Sequence, residues 1–131
     1  MARILLIDDE ELVVHSLEKF LRKLGHCIVS ARNGIEAIRQ VEEQDFDLII
    51  TDIRMPKLNG IDMITQIREL LRQKGRPHIP EICITGYADD ELVKKAEAMG
   101  VADYLYKPFE LTDFMNCVNK NLKQISSGEI K

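Results

Sequence analysis

The run Asp47-Leu48-Ile49-Ile50-Thr51-Asp52-Ile53-Arg54-Met55-Pro56 decides how this chain folds. Its apolar centre is too short for a free-standing helix and is rich in isoleucine, so it reads as a strand buried on both faces. The strand ends on Asp52, and Pro56 forbids an easy continuation. Open α/β sheets place their ligand chemistry at the carboxyl ends of central strands. Asp52 is therefore a cap, a metal ligand or a nucleophile, and the surrounding sequence bears on which.

Outward from this run, four more apolar strand candidates alternate with helical patterns. Arg3–Ile7 and Cys27–Ser30 lie upstream; Glu81–Thr85 and Tyr104–Tyr106 lie downstream. The first helix carries Val13, Leu17, Phe20, Leu21 and Leu24 on one face and is stopped by Gly25. Asn33-Gly34 opens a second, with Ala37, Ile38 and Val41. Asn59-Gly60 leads into a third, with Ile61, Ile64, Ile67 and Leu71 at three- and four-residue steps. A fourth starts at Asp89, carries Leu92, Val93, Ala96 and Met99, and closes at Gly100. Leu111, Phe114, Met115, Val118, Leu122 and Ile125 form the last stripe, and the polar residues from Ser126 onward predict fraying. The alternation, with short connections, predicts a doubly wound parallel sheet with right-handed crossovers and helices on both faces. Five such units fit the strand order 2-1-3-4-5.

Composition narrows the classes. A chain of 131 residues suits one domain with one core. Hydrophobic residues at 45% and charged residues at 31% exclude a disordered chain. A net charge of −4 without a basic run argues against direct nucleic-acid binding. No apolar segment reaches the ~20 residues of a membrane span. Met1-Ala2-Arg3 runs straight into a strand, which leaves no room for a secretory signal and predicts a cytoplasmic protein. Cys27, Cys83 and Cys117, odd in number and widely spaced, read as reduced, buried thiols.

The strand order brings Asp8 and Asp9, after strand one, beside Asp52, after strand three. By itself Asp8-Asp9 is equally a helix start, where carboxylates meet free amides. Three carboxylates in one crevice change the balance, because each like-charge pair near 5 Å costs roughly 3 kcal/mol at an effective dielectric of about 20. A divalent cation relieves that repulsion, and an all-oxygen site open to water suits Mg²⁺ better than Zn²⁺. Thr85 and Lys107 end strands four and five at the same sheet edge. Singly they read as a turn hydroxyl and a snorkelling lysine. Together with the metal they make a phosphoryl site, in which the central Asp52 is the candidate nucleophile.

These residues resemble those of a response-regulator receiver domain of two-component signalling, of the chemotaxis-regulator type. The matching motifs are Ile7-Asp8-Asp9-Glu10, the Asp47–Pro56 run, Gly60, Ile84-Thr85-Gly86-Tyr87 and Tyr104-Leu105-Tyr106-Lys107-Pro108-Phe109. The resemblance covers residues 1–122, leaving 123–131 as the end of the last helix and a polar tail, and implies a flavodoxin-like three-layer sandwich. It implies that Asp52 accepts a phosphoryl group from a histidine kinase or a histidine phosphotransfer protein. Asp9, Asp52 and the Arg54 backbone carbonyl would hold Mg²⁺ directly, and Asp8 through water. Lys107 would contact the phosphoryl group and be joined to Pro108 by a cis peptide. Thr85 and Tyr104 would be the switch pair, while Arg54 and Tyr87 would tune the lifetime of the phosphorylated state. The output would be a changed face of helix 4, strand 5 and helix 5, offered to a downstream protein, an output domain or a second copy of the chain.

Two other readings of the same architecture remain open here. An aspartate-nucleophile phosphatase also uses Mg²⁺, although its nucleophile normally follows strand one in an Asp-x-Asp pattern. A receiver fold used only as a docking module would need no phosphorylation. A flavin module is disfavoured, since Asp8-Asp9-Glu10 would repel its phosphate. Lys19, Arg22 and Lys23 lie on the first helix, near the expected phosphodonor side, but a solvated face is the favoured reading.

Overall fold

The computed structural model describes residues 2–55, 57–86 and 90–130, with side chains for these except at 90 and 123–130. Five strands alternate with five helices. They are β1 (Arg3–Ile7), α1 (Glu11–Lys23), β2 (Cys27–Ala31), α2 (Gly34–Glu43), β3 (Leu48–Asp52) and α3 (Gly60–Gln73). After these come β4 (Glu81–Gly86), α4 (Asp90–Met99), β5 (Asp103–Lys107) and α5 (Leu111–Ile130). The strands form one parallel sheet in the order β2-β1-β3-β4-β5. The fold is the expected doubly wound, flavodoxin-like sandwich.

Side-chain alternation along each strand divides the core into two layers. Leu5, Ile7 and Ile49 pack with Ala37, Val41, Ile61, Ile64 and Ile67 from α2 and α3. Ile4, Leu6, Ile50 and Ile84 pack on the other face with Leu17, Leu21, Phe114 and Val118 from α1 and α5. Every residue of β3 is buried, as its unbroken apolar run requires. Thr51, polar and buried, donates its hydroxyl proton to the Asp52 carbonyl oxygen at 2.8 Å.

Local chemistry starts and stops the helices. The Asn33 side chain accepts from the Glu36 amide, and Asn59 from the Asp62 amide, each at 2.9 Å. Gly25, with φ 91°, lies in the left-handed region just past α1. Glu10 is the N-cap residue of α1 and makes no side-chain cap hydrogen bond. At the entry to α1 it is the Asp8 carboxylate that accepts from the Glu10 amide, at 2.9 Å.

Some boundaries and faces differ from expectation. β2 and β4 run one residue further, to Ala31 and Gly86, and β5 spans Asp103–Lys107. β3 starts one residue late, at Leu48, because Asp47 lies at the exposed entry, where its carboxylate accepts from the Arg3 amide. Leu24 and Leu111, placed on buried stripes by their spacing, are 41% and 51% exposed. Both sit at helix ends, where the stripe has run past the sheet. Backbone helix continues to Ile130, beyond Ser126. The segment holds no proline, and a lone glycine there costs only about 1 kcal/mol. Pro56, Tyr87 and Asp89 lie outside the described residues.

An ion pair ties three elements together at the opposite edge of the sheet. Glu81, at the start of β4, is 1% exposed. Arg68 of α3 grips it with two parallel bonds of 2.8 and 2.9 Å, and donates a third to the Met99 carbonyl oxygen at the end of α4.

Gly60 marks a close approach of α3 to the end of β3. A Cβ placed there would lie 2.5 Å from the Asp52 carbonyl oxygen and 3.0 Å from the Ile53 Cα. The Gly60 amide donates to the Ile53 carbonyl oxygen at 2.7 Å, so the backbone cannot back away without losing that bond. Gly60→Ala is expected to cost about 1–3 kcal/mol in urea denaturation. Unchanged stability would show that the turn yields freely.

Candidate functional site

Register explains how distant residues meet. Leu6 pairs with Ile50 and Ile7 with Thr51, so the next residues along, Asp8 and Asp52, emerge side by side. Asp52 pairs with Ile84, which places Thr85 one step beyond it on the neighbouring strand. Gly86 pairs with Lys107 at the end of β5. The crevice thus lies at the carboxyl ends of β1, β3, β4 and β5.

Lys107 is its centre. Its Nζ lies 3.1 Å from Asp52 Oδ2, 3.1 Å from Glu10 Oε1 and 3.5 Å from Asp8 Oδ2. The carboxylates of Asp8, Glu10 and Asp52 offer oxygens all within 4.8 Å of one another. Asp8 is 2% and Asp52 6% exposed, whereas Glu10 and Asp9 face solvent. Asp8 Oδ1 accepts from the Glu10 amide at 2.9 Å, and Asp52 Oδ1 from the Arg54 amide at 3.3 Å.

Burial and crowding shift these groups. Desolvation pushes the Asp8 carboxyl up to about 6; the Glu10 amide pulls against it and the Asp52 charge adds to it. Desolvation likewise raises Asp52, opposed by Lys107 and the Arg54 amide and reinforced by Asp9. Burial works to lower Lys107, but the hydrogen bond it donates to Asp52 and the charges of Asp52 and Asp8 outweigh it and hold the ammonium above its ordinary value. The donor set is all oxygen, crowded and short of positive charge. The buried Asp8 and Asp52 oxygens fit a hard divalent cation, while the exposed Glu10 carboxylate is taken up by Lys107.

Thr85 and Tyr104 stand apart from this trio. The buried Thr85 hydroxyl donates to the Gly86 carbonyl oxygen at 3.0 Å. The Tyr104 hydroxyl donates to Glu97 Oε1 of α4 at 3.1 Å, and that carboxylate raises the phenol above its usual range. Its ring meets Tyr106 edge-on at 5.8 Å. The Lys107–Pro108 peptide is cis. Arg54 is exposed, two residues beyond Asp52. Of the residues expected at the site, the structure gathers Asp8, Asp52 and Lys107 closely and leaves Asp9 on the solvent side. Glu10 has a larger part than the sequence assigned it, where it figured only in the Ile7–Glu10 motif.

Residues 4–119 match the sequence profile of the response regulator receiver domain. The chain belongs to the response-regulator receiver family. This receiver is 34% identical over 122 residues to the response regulator receiver protein CpdR of Brucella abortus, covering 93% of this chain and 98% of that protein. It is 33% identical over 124 residues to the transcriptional regulatory protein ZraR of Escherichia coli, covering 95% of this chain but 27% of the relative's length. Among solved structures, a response regulator receiver domain protein of Clostridium thermocellum superposes with a TM-score of 0.85 at 30% identity, over 96% of this chain and 98% of that one. The chemotaxis protein CheY4 of Vibrio cholerae gives 0.82 at 25% identity, over 92% and 98%. Receiver domains are generally signalling switches of two-component systems rather than enzymes. Among the described residues, no helix is long and apolar enough to cross a membrane.

Proposed function

We propose that this receiver is switched by phosphorylation of Asp52. The observation that carries the reading is Lys107 Nζ at 3.1 Å from Asp52 Oδ2, with Asp8 and Glu10 completing a carboxylate trio. An Asp52 oxygen attacks the phosphorus of a phosphohistidine on a histidine kinase or phosphotransfer protein. The P–O bond forms as the P–N bond breaks, and the departing imidazole takes a proton from solvent. Lys107 turns toward the phosphoryl oxygens and offsets their charge. Asp8, Asp9, Asp52 and the Arg54 backbone carbonyl would hold Mg²⁺, which supplies further charge neutralisation. Asp9 already acts on Asp52 through its charge. Arg54 and Tyr87 would tune how long the phosphoryl group survives. The protein then catalyses only its own phosphorylation and dephosphorylation, in the cytoplasm.

Output follows from what the new charge pulls. An aspartyl phosphate draws the Thr85 hydroxyl from the Gly86 carbonyl and leaves room for the Tyr104 ring to turn inward. That movement breaks the bond to Glu97 and so alters α4, β5 and α5 together. Tyr106 and Leu111, both exposed, lie on this face for a downstream protein, an output domain or a second copy. Going from mostly off to mostly on needs about 5.5 kcal/mol of differential interaction, within reach of a few charge-assisted bonds. The phosphodonor would approach past Leu12, 84% exposed on α1 beside Asp8.

Labelling with a small acyl phosphate and Mg²⁺, wild type against Asp52→Ala, followed by sizing of both, tests the reading. Stoichiometric label on the wild type alone supports it. Turnover of a generic phosphate ester would instead favour the phosphatase, and partner binding by Asp52→Ala without phosphate the docking module.

A pH dependence follows from Asp8. Metal ligands must be deprotonated, and this carboxyl is held up to about 6. Mg²⁺ affinity, measured by calorimetry, is expected to be nearly flat above about pH 7 and to fall about tenfold by about pH 5. A flat profile across that range would remove Asp8 from the metal site.

A further inference from the structure

We infer that Glu10 is a positioning residue that holds Lys107 in a resting place and slows its transfer to the phosphoryl group. The inference rests on the phosphoacceptor reading of Asp52 and concerns the regulation of that site. Three observations carry it.

First, the Glu10 side chain does nothing for its own helix. It occupies the N-cap of α1, where a short polar side chain normally accepts from the backbone, and it makes no such bond. Its carboxylate instead reaches across to the end of β5, 97 positions away in the chain, and meets Lys107 at 3.1 Å. Second, that distance equals the one from Lys107 to Asp52. The ammonium is shared between the nucleophile and a carboxylate that takes no part in bond making. Third, the two neighbours differ in freedom. The Asp52 side chain is 8% exposed and the Glu10 side chain 60%, so Glu10 can follow or release the lysine without disturbing the core.

When phosphorus adds to Asp52, Lys107 must turn to the new oxygens. It then leaves Glu10, and that contact must be broken on the way to the transition state. An exposed ion pair of this kind is worth enough to change the rate by about two- to fivefold. Mg²⁺ affinity should change little, because Glu10's effect runs through the lysine.

Two substitutions separate this from simpler accounts. Glu10→Gln removes the charge. Glu10→Asp keeps the charge but shortens the side chain, and an aspartate at an N-cap prefers the helix amides. Both variants are expected to label faster than wild type, by about two- to fivefold at saturating Mg²⁺ with a small acyl phosphate, and to keep the Mg²⁺ dissociation constant within about twofold. Faster labelling by Glu10→Gln alone, with Glu10→Asp like wild type, would mean general repulsion of the anionic donor and would overturn the proposal. Mg²⁺ affinity weakened about tenfold or more in Glu10→Gln would make Glu10 a metal ligand and overturn it too. Unchanged rates in both variants would leave Glu10 no part. A wild-type protein that takes no label at all would instead bring down the phosphoacceptor reading itself.

Discussion

Asp52→Asn is expected to reduce acyl-phosphate labelling to background and, at the same time, to make the metal-free protein more stable at neutral pH. The first effect is chemical, since a carboxamide cannot serve as the nucleophile. The second follows from where the carboxylate sits. It is 6% exposed, and desolvation holds its proton affinity above that of an unfolded aspartate, with Asp9 adding to the effect. The sign is then fixed. Well below the ordinary aspartate value of about 3.9 the residue is protonated in both folded and unfolded chains and makes no difference. As pH rises past the unfolded value the unfolded chain ionises first, and the penalty on the folded state grows until the buried carboxyl has ionised as well. Asparagine cannot ionise and escapes it. A higher Tm is expected at pH 7, and the gain should shrink toward zero as pH falls below the usual aspartate range. Lys107 loses a partner but keeps Glu10 and Asp8, and its side chain is 26% exposed. Thermal melts of both proteins across that range decide the matter. A variant less stable than wild type at pH 7 would mean that the Lys107–Asp52 pair outweighs the burial of its carboxylate.

Activity and stability oppose each other at this crevice for one reason. The arrangement crowds like charges, and Lys107, paired with three carboxylates, relieves that crowding.

Most of this arrangement was legible in the chain. The unbroken run of β3 required burial on both faces, and the alternation of strands and helices then left few sheet orders. Once β1 and β3 are neighbours, Asp8 must emerge beside Asp52. What spacing could not show is which way side chains turn at an edge. Asp8 and Asp9 are equivalent as letters, yet past the end of β1 the first is buried and the second faces solvent. Glu10 figured only in the Ile7–Glu10 motif, and its reach to Lys107, 97 positions on, depends on which strand ends meet at the crevice rather than on any local pattern. Leu24 and Leu111 followed the helical period but lie where the sheet has ended, since period says nothing about how long the partner surface is.

Glu81 is the instructive omission. A carboxylate at the head of Glu81-Ile82-Cys83-Ile84, in a strand that must be buried, has to find a cation, and the sequence displayed that demand. The partner was not legible, because α3 carries two arginines, Arg68 and Arg72, and only packing selects Arg68. Arg68→Ala is accordingly expected to be the most destabilising single change away from the phosphoryl site. It strands a carboxylate that is 1% exposed and removes both bonds of the 2.8 and 2.9 Å pair. The only other basic side chain recorded near it among the described residues, His78, stands 3.9 Å away and is mostly exposed. Breaking such a pair from one side costs about 3–5 kcal/mol, whereas replacing both partners by apolar side chains of similar volume is often neutral. Urea denaturation should show a loss of that size for Arg68→Ala and recovery of most of it in the double variant Arg68→Met, Glu81→Met. A loss under about 1 kcal/mol for Arg68→Ala would mean that water reaches Glu81 once the arginine is gone. The same substitution frees the Met99 carbonyl at the end of α4. Hydrogen exchange in α4 should therefore quicken more than in α2, which Arg76 caps independently through the Val41 and Gln44 carbonyls.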